Sequence, residues 1–124
     1  ELYLAGHSLA GLFAVWAATR TDIFEGVASV SGSLWYDGFI DYLTGARLLV
    51  PEIYFSVGEA ESRTRSKRLA KVVDMTSTAY IIAKGQKIDT VMRLNHGGHF
   101  NEPEKRCADA VGWLTGDRRK EGNI

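Results

Sequence analysis

Apolar residues along this chain come in short blocks separated by turn signals, and the blocks alternate between two periodicities. Leu2-Tyr3-Leu4-Ala5 is a compact apolar run reaching Gly6, and it reads as a core strand. Over 12–18, Leu12, Phe13, Val15 and Trp16 make a segment apolar almost all round. That is the pattern of a helix buried between a sheet and a second layer, and it should stop near Thr21-Asp22. Gly26-Val27-Ala28-Ser29-Val30-Ser31 is small and β-branched, as a buried parallel strand is, and runs into a loop with Leu34, Trp35 and Tyr36. A short helix is expected over 37–42. Pro51 opens a third strand, 52–57, closed by Gly58. A long helix is expected over 66–84, with Leu69, Val72, Val73, Thr76, Tyr80 and Ile81 near the spacing of one buried face and Gly85 at its end. Residues 89–94 alternate as a fourth strand, and Asn95-His96-Gly97-Gly98-His99 is a turn. Pro103 then sits in the first turn of a last helix whose Ala108, Val111, Trp113 and Leu114 should face inward.

Strand, helix, strand, helix in regular alternation implies right-handed crossovers and an α/β architecture, a parallel sheet with helices on both faces. No repeat or linker divides the chain, so residues 1–116 form one domain and 117–124 a polar tail. In such sheets ligands sit beyond the carboxyl ends of the strands. Three chemical groups fall at three of those ends: Ser8 after the first strand, Glu59 and Glu61 after the third, His96 and His99 after the fourth.

Ser8 has the most telling surroundings. In Gly6-His7-Ser8-Leu9-Ala10-Gly11 it stands where a strand turns directly into a helix. A serine there takes strained backbone angles, and the turn closes only if the residues two before and two after are very small. Gly6 and Ala10 meet that need. The common pattern has glycine at the second position, so Ala10 departs from it by one methyl, and Gly11 keeps the start of the helix uncrowded. The plainer alternative is a helix N-cap serine, which requires neither Gly6 nor Ala10.

A serine hydroxyl is a weak nucleophile at neutral pH and needs a base to take its proton and return it to the leaving group. His99 is favoured over His96, because it follows two glycines and precedes Phe100 at the start of the last helix, where a loop can carry an imidazole over the sheet. His96-x-x-His99 with Glu102 also resembles a metal-ligand set, but two intervening glycines do not make the helical face such pairs use, so neither metal nor cofactor is expected. An anion must accept the other imidazole N–H. Glu59 and Glu61 are both placed for it, with Asp37 a further candidate. The developing oxyanion needs two backbone donors, one being the N–H of Leu9 at the positive end of the helix. The second comes from a loop after an earlier strand, which this chain does not show.

Composition narrows the partners. Of 124 residues, 15 are Lys or Arg and 15 are Asp or Glu, a formal net charge of zero. That removes the electrostatic drive for nonspecific nucleic-acid binding and for an anionic membrane surface, and leaves a small-molecule substrate as the fitting ligand. Cys107 is the single cysteine, so no intrachain disulfide forms, and it reads as a small buried hydrophobe. No apolar stretch approaches membrane-spanning length. No signal peptide is visible, so a cytoplasmic location is expected, with the amino terminus read as missing. Trp35 and Tyr36 are candidates for the wall of a substrate pocket, with core packing the alternative. The cations Arg63, Arg65, Lys67 and Arg68 gather at the start of the long helix, against its dipole.

The order serine, acid, histidine and the motifs quoted above resemble the esterase family of α/β-hydrolases that holds enterochelin-type esterases, feruloyl esterases and S-formylglutathione hydrolase. The segments that carry the resemblance are residues 6–11, the Ser31-Gly32-Ser33-Leu34-Trp35-Tyr36 loop, Gly58-Glu59-Ala60-Glu61 with Arg63-Thr64-Arg65, and residues 95–100. It implies the carboxyl-terminal half of an α/β-hydrolase fold. It also implies Glu61 as the acid, His99 as the base, and a Ser-His-Glu triad acting on carboxylic esters through an acyl-enzyme. A catalytically incomplete or noncatalytic binding unit is the alternative. With the Ser8 strand normally central in its sheet, an exposed first strand over 2–5 is expected to pair with a second copy or to aggregate.

Overall fold

The computed structural model describes residues 1–58, 71–95 and 102–117. Its elements are β1 (Tyr3–His7), α1 (Leu9–Ala18), β2 (Gly26–Val30), α2 (Phe39–Gly45), β3 (Glu52–Gly58), α3 (Val72–Gly85), β4 (Asp89–Asn95) and α4 (Pro103–Gly112). A π-type turn over Trp113–Asp117 follows α4 directly. All four strands run parallel in the order β1-β2-β3-β4. Among the described residues β1 is therefore an edge strand.

Alternating side chains of the inner strands separate two apolar layers, as the pleat requires. Val27, Ile53 and Phe55 face α1, α2 and α3, packing with Ala14, Val15, Ala18, Phe39, Leu43, Ala79 and Ala83. Ala28, Val30 and Tyr54 face the other way, against Ala110, Trp113 and Leu114. Tyr54 and Trp113 lie ring against ring with centroids 5.7 Å apart. All five residues of β2 are buried, which explains its unbroken run of small and β-branched side chains. Fully burying side chains such as Ile53 and Phe55 stabilises the fold by about 1.5–3 kcal/mol each.

The inward faces of the last two helices differ from the expectation. On α3 the buried positions are Val72, Thr76, Ala79 and Ala83, spaced four, three and four apart, while Ile81 is 66% exposed. Ile81 stands nine residues beyond Val72, half a turn out of phase, so its apolar character did not mark the face. On α4 the buried residues are Arg106 and Ala110, continued by Trp113 and Leu114, whereas Ala108 and Val111 point outward. An arginine on the inward stripe disguised its phase. Both helices keep the expected ends: α3 stops at Gly85, and Pro103 opens α4. The expected first turn of the long helix, the cations of 63–68 and the polar tail beyond 117 lie outside the described residues.

Candidate active site

Ser8 occupies the turn from β1 into α1 with φ 61° and ψ −120°. A non-glycine residue with positive φ is uncommon, and this pair of angles lies outside the left-handed helical well that such residues usually occupy. Ser8 stands at the N-cap position of α1, but its side chain makes no capping hydrogen bond to the helix. Its backbone is held on all sides. The Ser8 N–H donates to the Val30 carbonyl at 3.0 Å, and the Ser8 carbonyl accepts from Gly11 at 2.9 Å, Leu12 at 3.2 Å and Ser33 at 3.0 Å.

The small residues around the turn are required by distance. A Cβ on Gly6 would overlap the carbonyl of Ala10, so β1 and α1 close on each other only because Gly6 has none. Gly11 does more than leave the helix uncrowded. A Cβ there would lie 2.8 Å from the Gly32 Cα and 2.9 Å from the Ser29 Oγ. A Cβ on Gly32 would in turn collide with the Ser29 hydroxyl. The first turn of α1 thus rests on the loop after β2, with Ser29 buried beneath both glycines. The steric pattern of the sequence points to Gly6 and Ala10 but not to Ser29 or Gly32; glycines at 11 and 32 flanking two strand ends are the signal for them.

Leu9 is the first residue of α1, so its N–H lies at the positive end of the helix, among the first-turn donors that have no intrahelical acceptor. Asp37 is exposed in the loop before α2. Glu59, Glu61, His96 and His99 lie outside the described residues. The strands that lead to them are described: His7 pairs with Val30, Val30 with Ser56, and Gly58 with Asn95. The chain therefore leaves β1, β3 and β4 at one rim of the sheet. Among the described residues no group of three or more His, Cys, Asp or Glu could hold a metal ion.

Beside the turn runs an open groove of about 610 Å³ lined by Leu9, Ala10, Leu12, Phe13, Trp16, Tyr36 and Phe39. Its lining is almost wholly apolar, and its volume is in the range of small-molecule sites. Tyr36 is on its wall and 57% exposed. Trp35 lines a second, mixed depression with Asp37, Asp41, Lys71 and Asp74 and is not part of the apolar groove. Tyr36 borders both.

Two groups away from the turn complete the chemistry of this layer. Cys107 on α4 is half-buried against Tyr54 and Trp113, and burial raises its thiol pKa. Arg106, which the sequence reading passed over, is 3% exposed and donates from Nη1 to the Ser31 Oγ at 3.0 Å. A charge four residues before Ala110 on an otherwise apolar stripe was the sign of it.

No protein-family model matches the sequence, and no curated protein matches it. Solved structures do. Siderophore hydrolase EstA from Aspergillus nidulans is similar with a TM-score of 0.66 at 18% identity, over 91% of this chain and 48% of that one. This chain has the α/β-hydrolase fold. Siderophore hydrolase EstB of the same organism gives 0.61 at 21% identity, over 91% and 47% of the two chains. A ferulic acid esterase gives 0.64 at 18%, over 90% and 48%. The acylaminoacyl peptidase of Pyrococcus horikoshii gives 0.61 at 15%, over 91% and 23%. The chain spans about half the length of the esterases it matches. Ser8 occupies the turn between β1 and α1 of this sheet.

Proposed function

We propose that this protein is a serine hydrolase of carboxylic esters in which Ser8 is the nucleophile. The observation that carries the reading is the backbone of Ser8 itself: φ 61° and ψ −120° between a parallel strand and a helix, with no capping bond from its side chain. Strain of this kind persists only where the surroundings over-determine it, and here Gly6 and the Ser33 amide do so. An N-cap serine gains its stabilisation from the side chain and has no use for such angles.

In the reaction His99 takes the Ser8 proton as the hydroxyl attacks the ester carbonyl, and returns it to the departing alcohol. Glu61 accepts the other imidazole N–H and stabilises the imidazolium, with Glu59 the alternative acid. The Leu9 amide donates to the tetrahedral oxyanion, aided by the positive end of α1. Water then attacks the acyl-Ser8 ester along the same proton route. The common rim from which β1, β3 and β4 release the chain supports this assignment of roles. Tyr36 and the apolar groove beside it form the proposed wall for the substrate's apolar part.

A second reading, a catalytically incomplete unit, draws on the extent of the match: the solved esterases are about twice as long as this chain. Hydrolysis of a short-chain aryl ester and labelling by a fluorophosphonate separate the two. The hydrolase reading requires Ser8→Ala to abolish both, and an unchanged rate in Ser8→Ala overturns it.

A further inference from the structure

Arg106 stands out among the buried residues because nothing in the proposed chemistry uses it. It lies on the inward stripe of α4, 3% exposed, one turn before Ala110. A buried charge is by itself weak evidence for stability, because its desolvation offsets much of what its partners return. Fold stability is thus a weak reason for a guanidinium here. Its donation to Ser31 joins residues 75 apart in the chain and runs from the helix layer to the carboxyl end of the sheet.

Ser31 is the residue that follows β2, and it has a left-handed φ of 46°. Its N–H donates to the Ser56 carbonyl at 2.7 Å, while its hydroxyl accepts from Arg106. Two residues on, the Ser33 N–H holds the Ser8 carbonyl at 3.0 Å, and between them Gly32 abuts Gly11. The stretch Ser31-Gly32-Ser33 is therefore tied to β3 and α4 at one end and to the Ser8 turn at the other.

We infer that Arg106 is a positioning residue for Ser8, acting through Ser31 and the Ser33 amide to hold the strained turn in the geometry that aims its hydroxyl. The inference rests on Ser8 being the nucleophile. Misplacement of a reacting group by about 1 Å costs on the order of 100-fold in rate. Arg106 touches no substrate, so its loss acts on kcat and leaves KM in place.

The test uses the full chain, a short-chain aryl ester and a fluorophosphonate, with thermal unfolding measured alongside. Arg106→Met keeps the length and apolar packing. It should remain folded at the assay temperature, which thermal unfolding checks, yet lose roughly 10- to 100-fold in kcat and in labelling rate. Ser31→Ala removes only the accepting hydroxyl and should lower kcat in the same direction, with the double variant no slower than Arg106→Met alone. Arg106→Lys should recover part of the rate. If Arg106→Met does not fold, Ser31→Ala and Arg106→Lys decide the matter. Wild-type kcat and labelling rate in both overturn the positioning role while leaving Ser8 as nucleophile intact. A wild-type protein labelled nowhere, or labelled equally after Ser8→Ala, overturns both readings.

Discussion

Gly6 and Ala10 meet backbone to backbone across the turn that holds Ser8: a Cβ on Gly6 would overlap the Ala10 carbonyl. The contact is with main chain, so no side-chain rotation relieves it. The Ala10 Cβ is the next atom such a group would meet, at 2.8 Å, so the methyl at position 10 is accommodated only while position 6 carries none.

Gly6→Ala should consequently destabilise the protein by on the order of 3 kcal/mol and remove hydrolysis with it. Ala10→Gly, which restores the commoner spacing, should cost at most about 1 kcal/mol through lower helix propensity and leave the turn as it is. Denaturant midpoints and ester turnover of the two variants check this, and equal tolerance of both would contradict the account of the turn.

A Cβ on Gly32 meets the Ser29 hydroxyl first, with the next neighbour, the Gly11 carbonyl carbon, at 3.3 Å. Among the described residues the buried Ser29 Oγ has no hydrogen-bond partner, so deleting it costs little. Gly32→Ala alone should destabilise by about 1–3 kcal/mol, and adding Ser29→Ala should recover most of that loss. A double-mutant cycle by chemical denaturation measures the coupling; additivity would mean the two residues do not share the space.

Leu9, Phe13 and Trp16 lie on one stripe of α1 at 65%, 53% and 42% exposure, next to the edge strand β1. An apolar stripe beside an open strand edge is a surface for association. The 124-residue chain should sediment as a dimer or larger species, paired through residues 2–5, and Trp16→Glu should shift it toward monomer. A strictly monomeric wild type in analytical ultracentrifugation would contradict this.

Burial raises the pKa of Tyr54 above its ordinary 10.0 and that of Cys107 above its ordinary 9.0. In each case the folded state retains the proton longer than the unfolded chain does. The stability tied to these groups is complete below the ordinary values and lost as pH climbs through the raised ones. Thermal unfolding between pH 8 and 11 should show a falling midpoint above about pH 9, and Tyr54→Phe should flatten the upper part of that fall. By the same shift, Cys107 should react slowly with thiol reagents at pH 7, because little of it is thiolate.

Element types were legible because their cause is local. Short β-branched runs ended by glycine became parallel strands, and Pro103 opens its helix as a residue lacking a backbone donor should. Helix phase was less legible: Ile81 and Val111 read as core and are exposed, while Arg106 read as nothing and is buried. Side-chain polarity reports only an average preference. Which stripe meets the sheet depends on how the whole helix is seated, and a partner as distant in sequence as Ser31 can hold a charge inside.

The sequence by itself determined that a strand turns into a helix at Ser8 between residues small enough to allow it, since that is a matter of steric volume within five positions. It also determined the alternation that makes a parallel α/β layer, and with it the rim where Ser8 stands. Only the tertiary structure decided that Ser8 takes φ 61°, that Gly32 and Ser29 form the floor under α1, and that Arg106 reaches Ser31. Those relations join residues up to 75 positions apart, and the close packing of one layer on another, which no local periodicity encodes, brings them together.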